Sequence, residues 1–112
     1  MIKVLFLDDE RTPGVVNWVK YPKGSVFTVV RSYNEFLEAV RLNDKFDVWS
    51  LDHDLGINGL SQEINLSGYD SLKAALRWYP DQAPKQVIAH SKNPIGAENI
   101  NKYWENYVSN WN

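Results

Sequence analysis

The chain has no cysteine in 112 residues, which excludes disulfides, thiolate catalysis and Cys-ligated zinc. It also lacks an excess of basic charge. Twelve Lys and Arg against 14 Asp and Glu leave a formal net charge of −2, with no general attraction for nucleic acid. The basic residues are scattered, which argues against a duplex-binding module and leaves room for a small phosphorylated or nucleotide ligand held locally. No run approaches the roughly 18 apolar residues that span a membrane. The opening segment has no signal-peptide h-region or cleavage motif. The expectation is a cytoplasmic protein with no membrane partner. Repeats, linkers and low-complexity tracts are missing too, so residues 1–112 read as one domain with its own core.

What the chain does have is aromatic side chains, five Trp and six Tyr, and an alternation of strand-like and helix-like runs. "IKVLFL" (2–7) is a continuous apolar strand that stops at "DDE". In "TPGVVNWVK", Thr12 reads as an N-cap and Pro13 as the first helical residue, although Gly14 weakens a helix there. "SVFTVVR" (25–31) is a β-branched second strand. "SYNEFLEAVR" follows, with Ser32 and Glu35 at capping-box spacing and Phe36, Leu37 and Val40 as an apolar stripe. "FDVWSL" (46–51) is the third strand. "SGYDSLKAALRWYP" reads as a helix, with Ser67 and Asp70 spaced as a second capping box. "KQVIAH" (85–90) is the fourth strand, and Asn93 and Pro94 open a last helix. The stripe Ile100, Tyr103, Trp104, Tyr107, Val108 and Trp111 on that helix is expected to pack on a sheet. The alternation predicts an α/β, three-layer fold: a parallel sheet of about four strands in the order 2-1-3-4, with helices on both faces. In such sheets ligands bind at the carboxyl ends of the strands.

That edge collects most of the chemistry in the chain. Strand one ends in Asp8 and Asp9, strand two in Arg31 and Ser32, strand three in Asp52, His53 and Asp54, and strand four in His90, Ser91, Lys92 and Asn93. Both histidines of the chain fall there. Strand alternation puts Asp52 and Asp54 on one side and His53 on the other. Asp8, Asp9, Asp52 and Asp54 are candidate ligands for a metal. Like charges brought together raise one another's pKa unless a cation joins them. Such oxygen ligands suit Mg2+ or another divalent cation, Ca2+ included, and an added imidazole admits Mn2+; no organic cofactor is indicated. Solvated acids in capped turns are the alternative. Ser91, Lys92 and Asn93 offer donors to a phosphate beside the free N–H groups of a helix start. His90 can donate or take a proton near neutral pH. The long stretch from Gly56 to Leu66 is a candidate lid or specificity element. No P-loop, dinucleotide fingerprint, nucleophile elbow or H-E-x-x-H motif is present.

The runs "VLFLDDERTP", "WSLDHDLG", "SGYDSLKAAL" and "IAHSKNPIGAENI" together resemble the cyclic-phosphate-processing receivers, a receiver-like domain family of bacteria and phages. The likeness covers nearly the whole chain. It is more distantly similar to two-component response-regulator receivers. That resemblance implies that Asp8 and Asp9 match the acidic pair that holds Mg2+, Asp52 the phosphoacceptor, and Ser91 the hydroxyl residue after strand four. A standard receiver's fifth strand, its lysine and last helix have no match here, and Lys92 is the candidate substitute for that charge.

The leading expectation is a phosphoesterase processing a cyclic phosphate on a nucleotide or RNA terminus. His53 and His90 would divide the work of base and acid, one on the attacking water and the other on the leaving ribose oxygen, with Asp52 beside them. The alternative is a non-catalytic, receiver-like binding or regulatory protein, with a homodimer or protein partner docking on the last helix or the sheet edge. Phosphotransfer to Asp52 is a third reading.

Overall fold

Ile2–Leu7 form β1, whose last four residues are fully buried because both faces of the strand are covered. The computed structural model describes residues 1–55 and 66–110. β2 (Ser25–Val30), β3 (Val48–Leu51) and β4 (Gln86–Ala89) join β1 in a parallel sheet of order β2-β1-β3-β4, the expected order. Their largely apolar character fits strands packed between two layers.

Three helices follow β2, β3 and β4. In α1 (Tyr33–Leu42), the Ser32 hydroxyl accepts from the Glu35 amide, while Glu35 reaches back to the Arg31 amide instead of closing a reciprocal box. In α2 (Gly68–Trp78), Ser67 and Asp70 form the full capping box. In α3 (Pro94–Ser109), Asn93 caps and Pro94 is the first residue, as expected. Leu5, Leu7, Trp49 and Leu51 face these helices and meet Phe36, Val40, Leu72, Leu76 and Ile100 in the main core. Tyr103, Trp104 and Tyr107 of the aromatic stripe pack half-buried against that core, whereas Val108 is exposed and Trp111 lies outside the described residues. Among the described residues, no helix is long and apolar enough to cross a membrane.

The third layer differs from expectation. The helix anticipated from Thr12 onward is a single 3-10 turn, Pro13–Val15, and Thr12 makes no side-chain cap. Gly14 and the β-branched Val15, Val16 and Val19 give little helical propensity to resist an irregular path. The connection instead lays Val16, Trp18 and Tyr21 over the second face of the sheet. There Tyr21 packs edge-on to Phe6 and Phe27, and the Trp18 indole N–H donates to the His90 carbonyl oxygen at 2.6 Å. The layers are helices, sheet and an apolar connection.

Candidate functional site

Register alone builds the centre of the site. Leu7 pairs with Leu51 and Leu51 with Ala89, so β1, β3 and β4 end level and the next residues, Asp8, Asp52 and His90, stand side by side. The Asp52 amide donates to the Leu7 carbonyl at 2.9 Å and the His90 amide to the Leu51 carbonyl at 3.0 Å, carrying the ladder one residue further.

Asp8 is fully buried. Its Oδ1 accepts from the backbone amides of Glu10 and Arg11, each at 2.9 Å. Its Oδ2 lies 3.1 Å from His90 Nε2 and 3.5 Å from an Arg11 guanidinium nitrogen. Burial acts to raise its pKa, but the two amides and His90 together outweigh it and hold the carboxyl below its ordinary value. Arg31 locks the turn by donating to the carbonyls of Asp8 and Arg11.

His90 is fully buried as well, stacked on Phe6 with ring centroids 4.4 Å apart and planes 6° from parallel. Facing an ionised carboxylate, Nε2 carries the proton, and Nδ1 is then the acceptor. It accepts from the Ser50 hydroxyl at 2.7 Å, and the Ser50 oxygen accepts in turn from the Tyr21 hydroxyl at 2.7 Å. A single donor chain therefore runs Tyr21 to Ser50 to His90 to Asp8 across the second face of the sheet. Burial lowers the His90 pKa against the opposing pull of Asp8, so the imidazole is neutral. Burial likewise raises the Tyr21 pKa and keeps the phenol protonated.

Asp8, Asp9 and Asp52 each present a carboxylate oxygen, all within 4.8 Å of one another. Burial and the neighbouring Asp8 charge push Asp52 up to about 6, against Arg11, 3.7 Å away, and a hydrogen bond from Ser91. Asp9 is raised too, first by burial and then by the charges of Glu10 and Asp8. Three acids facing one guanidinium are short of positive charge. Hard oxygen donors at this spacing fit a divalent cation such as Mg2+ or Ca2+. The cluster opens into a pocket of about 190 Å³ whose walls include Asp9, Asp52 and Asp54 with Arg11, Ser91 and Lys92.

The structure does not bring the two histidines together. His53, one residue past Asp52, turns to the helical face, where its ring lies against Gly96 and its Nδ1 is 2.9 Å from Asp54 Oδ1. His90 faces Phe6 and Ser50 on the other side. A Cβ on Gly96 would overlap the His53 ring, and one on Gly68 would overlap the Asp52 carbonyl. These two glycines let α3 and α2 begin directly against the end of β3. Asp54 stands apart from the acidic cluster, paired with His53 and 3.4 Å from Asn93 Nδ2. Asn93 lines the pocket; its Oδ1 accepts from the Gly96 amide as the α3 cap, and its Nδ2, 3.4 Å from Asp54, keeps an N–H for a further acceptor. The stretch considered as a lid, from Gly56 onward, lies outside the described residues except for Leu66.

Sequence reasoning gave no site role to Arg11, Trp18, Tyr21 or Ser50. Ser50 carried a signal, a hydroxyl in an otherwise apolar strand. Arg11 carried one in its spacing three residues after Asp8. Trp18 and Tyr21 carried none, because nothing local marks which face an irregular connection covers.

A search of curated proteins and a search of solved structures return no match. The family model described as "Cyclic-phosphate processing Receiver domain" matches residues 3–106, nearly the whole chain, and the strand-end acids expected from that resemblance are those found clustered here. The chain belongs to the cyclic-phosphate processing receiver domain family.

Proposed function

We propose that the chain is a phosphoesterase acting on a cyclic phosphate carried by a nucleotide or an RNA terminus, assisted by a divalent cation. The observation that supports this is the meeting of three carboxylate oxygens within 4.8 Å with Arg11 and Lys92 around one small pocket. Asp8, Asp9 and Asp52 would hold the cation, which supplies positive charge to a phosphoryl group and makes water more acidic. Arg11 and Lys92 would hold phosphoryl oxygens as charge builds on them, while the Ser91 hydroxyl, which donates to Asp52, steadies that carboxylate.

The two histidines then work unequally. His53, hydrogen-bonded through Nδ1 to Asp54 of the pocket wall, would have to turn from its place against Gly96 for its Nε2 to take or give a proton. His90 acts through Asp8 and not on substrate, as a positioning residue with its neutral ring fixed at both nitrogens.

Incubation with 2′,3′-cyclic mononucleotides and Mg2+ or Mn2+, followed by chromatography, tests the activity. A linear phosphate monoester is expected, and both chelation and Asp52→Asn abolish it. No product with any divalent cation overturns the proposal in favour of a non-catalytic binding protein. That second reading draws on the burial of His90 and on the pairing of Arg11 with Asp8 and Asp52, which leave few groups free to move protons.

A further inference from the structure

We propose that Trp18 is a positioning residue for the phosphate half of this pocket, holding Arg11 and Lys92 together as a two-cation clamp for a phosphoryl group. The inference rests on the phosphate-binding reading given above and adds a residue that no motif marks.

The Arg11 guanidinium carbon lies 5.4 Å from the centre of the Trp18 ring and the Lys92 ammonium nitrogen 4.4 Å from it. Both cations line the acidic pocket. They come from strand ends that are not neighbours, because β3 separates β1 from β4. Trp18 spans that gap. Its indole N–H is tied to the His90 carbonyl at 2.6 Å, next to the run that carries Ser91 and Lys92. Arg11 is thus sandwiched between the carboxylates of Asp8 and Asp52 and the indole face. Lys92 is exposed and makes no ion pair among the described residues, so the indole is what holds it near the pocket.

The physics favours such an arrangement. Lys and Arg lose more rotamer freedom than most side chains when fixed. Two cations brought together also repel. A π face that attracts both offsets the repulsion and fixes them before the anion arrives, so less ordering remains to be done on binding. The ligand class is a tetrahedral phosphoryl oxyanion, monoester or cyclic diester.

Calorimetric titration with inorganic phosphate at fixed Mg2+ reads the clamp without any turnover. Trp18→Leu is expected to weaken phosphate binding about tenfold. Trp18→Phe keeps an aromatic face but no N–H, and is expected to weaken it by no more than about threefold. In a Lys92→Met background the Leu substitution costs distinctly less than in the wild type, because one of the two held cations is gone. Phosphate is also expected to change the wild-type tryptophan fluorescence, and the Phe variant to lose that change while still binding by calorimetry. Equal losses in the Phe and Leu variants would assign the effect to the bond at His90 and overturn the clamp. Unchanged affinity in a folded Leu variant overturns it, as does a wild type that binds no phosphate. If the Leu variant does not fold, the Phe variant decides: binding with an undiminished fluorescence response sinks the proposal, and binding without one sustains it. Phosphate bound through Trp18 with no turnover of cyclic phosphates sustains the clamp and defeats the phosphoesterase reading.

Discussion

His90 Nε2 lies 3.1 Å from Asp8 Oδ2 with both side chains fully out of solvent, so a neutral imidazole is the fixed donor to the most buried acid of the cluster. Removing the ring in His90→Ala strips Asp8 and Ser50 of a partner and opens a void against Phe6. The expected cost is about 3 kcal/mol in denaturant unfolding, together with weaker Mg2+ binding. Ser50→Ala breaks the chain one link earlier and should cost about 1–2 kcal/mol. If both variants unfold at the wild-type midpoint, the donor chain has no structural weight.

The pH dependence follows from Asp52, whose carboxyl is pushed up to about 6 from 3.8, first by burial and then by Asp8. Between those values the folded state binds more protons than the unfolded one. The contribution of Asp52 to the stability of the metal-free protein therefore falls as pH rises through that window, while the lowered pKa of His90 adds a contribution of opposite sign below its ordinary value. A divalent cation held by these acids would compete with the proton, so the stabilisation it gives would grow over the same range. Thermal unfolding with and without Mg2+ should show a larger shift at about pH 7.5 than at about pH 5. Equal shifts would remove Asp52 from the metal site.

Asp52→Asn separates function from stability. A carboxamide cannot ionise, so the repulsion with Asp8 ends and the metal-free protein near neutral pH is at least as stable as wild type, by up to about 1 kcal/mol. Mg2+ affinity and turnover fall about a hundredfold or more. Paired calorimetry and thermal melts check both halves. A small phosphodonor that adds mass to wild type but not to the Asp52→Asn variant would instead mark the third reading, phosphotransfer to this aspartate.

The two glycines behind the strand end differ in what a methyl group would strike. In Gly68→Ala it meets the Asp52 backbone carbonyl, which has nowhere to go, and the variant should lose about 3 kcal/mol or fail to fold. In Gly96→Ala it meets His53 at Cβ and the near edge of the ring, a side-chain clash that a new rotamer relieves only in part, and the cost should be about 2 kcal/mol. The second variant also tests His53, since a displaced imidazole should lower turnover while leaving Mg2+ affinity near wild type.

Much of this architecture is legible in the amino-acid sequence. Apolar runs bounded by polar residues marked all four strands, capping-box spacing marked α1 and α2, and Asn93 with Pro94 marked α3. The convergence of Asp8, Asp9 and Asp52 followed from strand order alone. The pairing of the histidines did not, because it turns on the register of β4 against β3, which no local pattern encodes. Asp52 and His90 are level in register, so His53, one residue later, has to face the opposite side. What the residues withheld was the path of 13–24, where Pro13, Gly14 and the valines specify no regular element. Tertiary contacts of Trp18 and Tyr21 set that path, and a local pattern does not encode them.

The irregular connection has a thermodynamic consequence. Tyr21 touches Phe27 on the edge strand and the Ser50 hydroxyl at the centre of the sheet, while Trp18 touches both cations of the pocket. Undocking one stretch of backbone would therefore loosen the cations and the support of Asp8 in a single event. Ligand occupancy and closure of residues 13–24 draw on a common free energy, so a filled pocket should slow amide hydrogen exchange along that stretch.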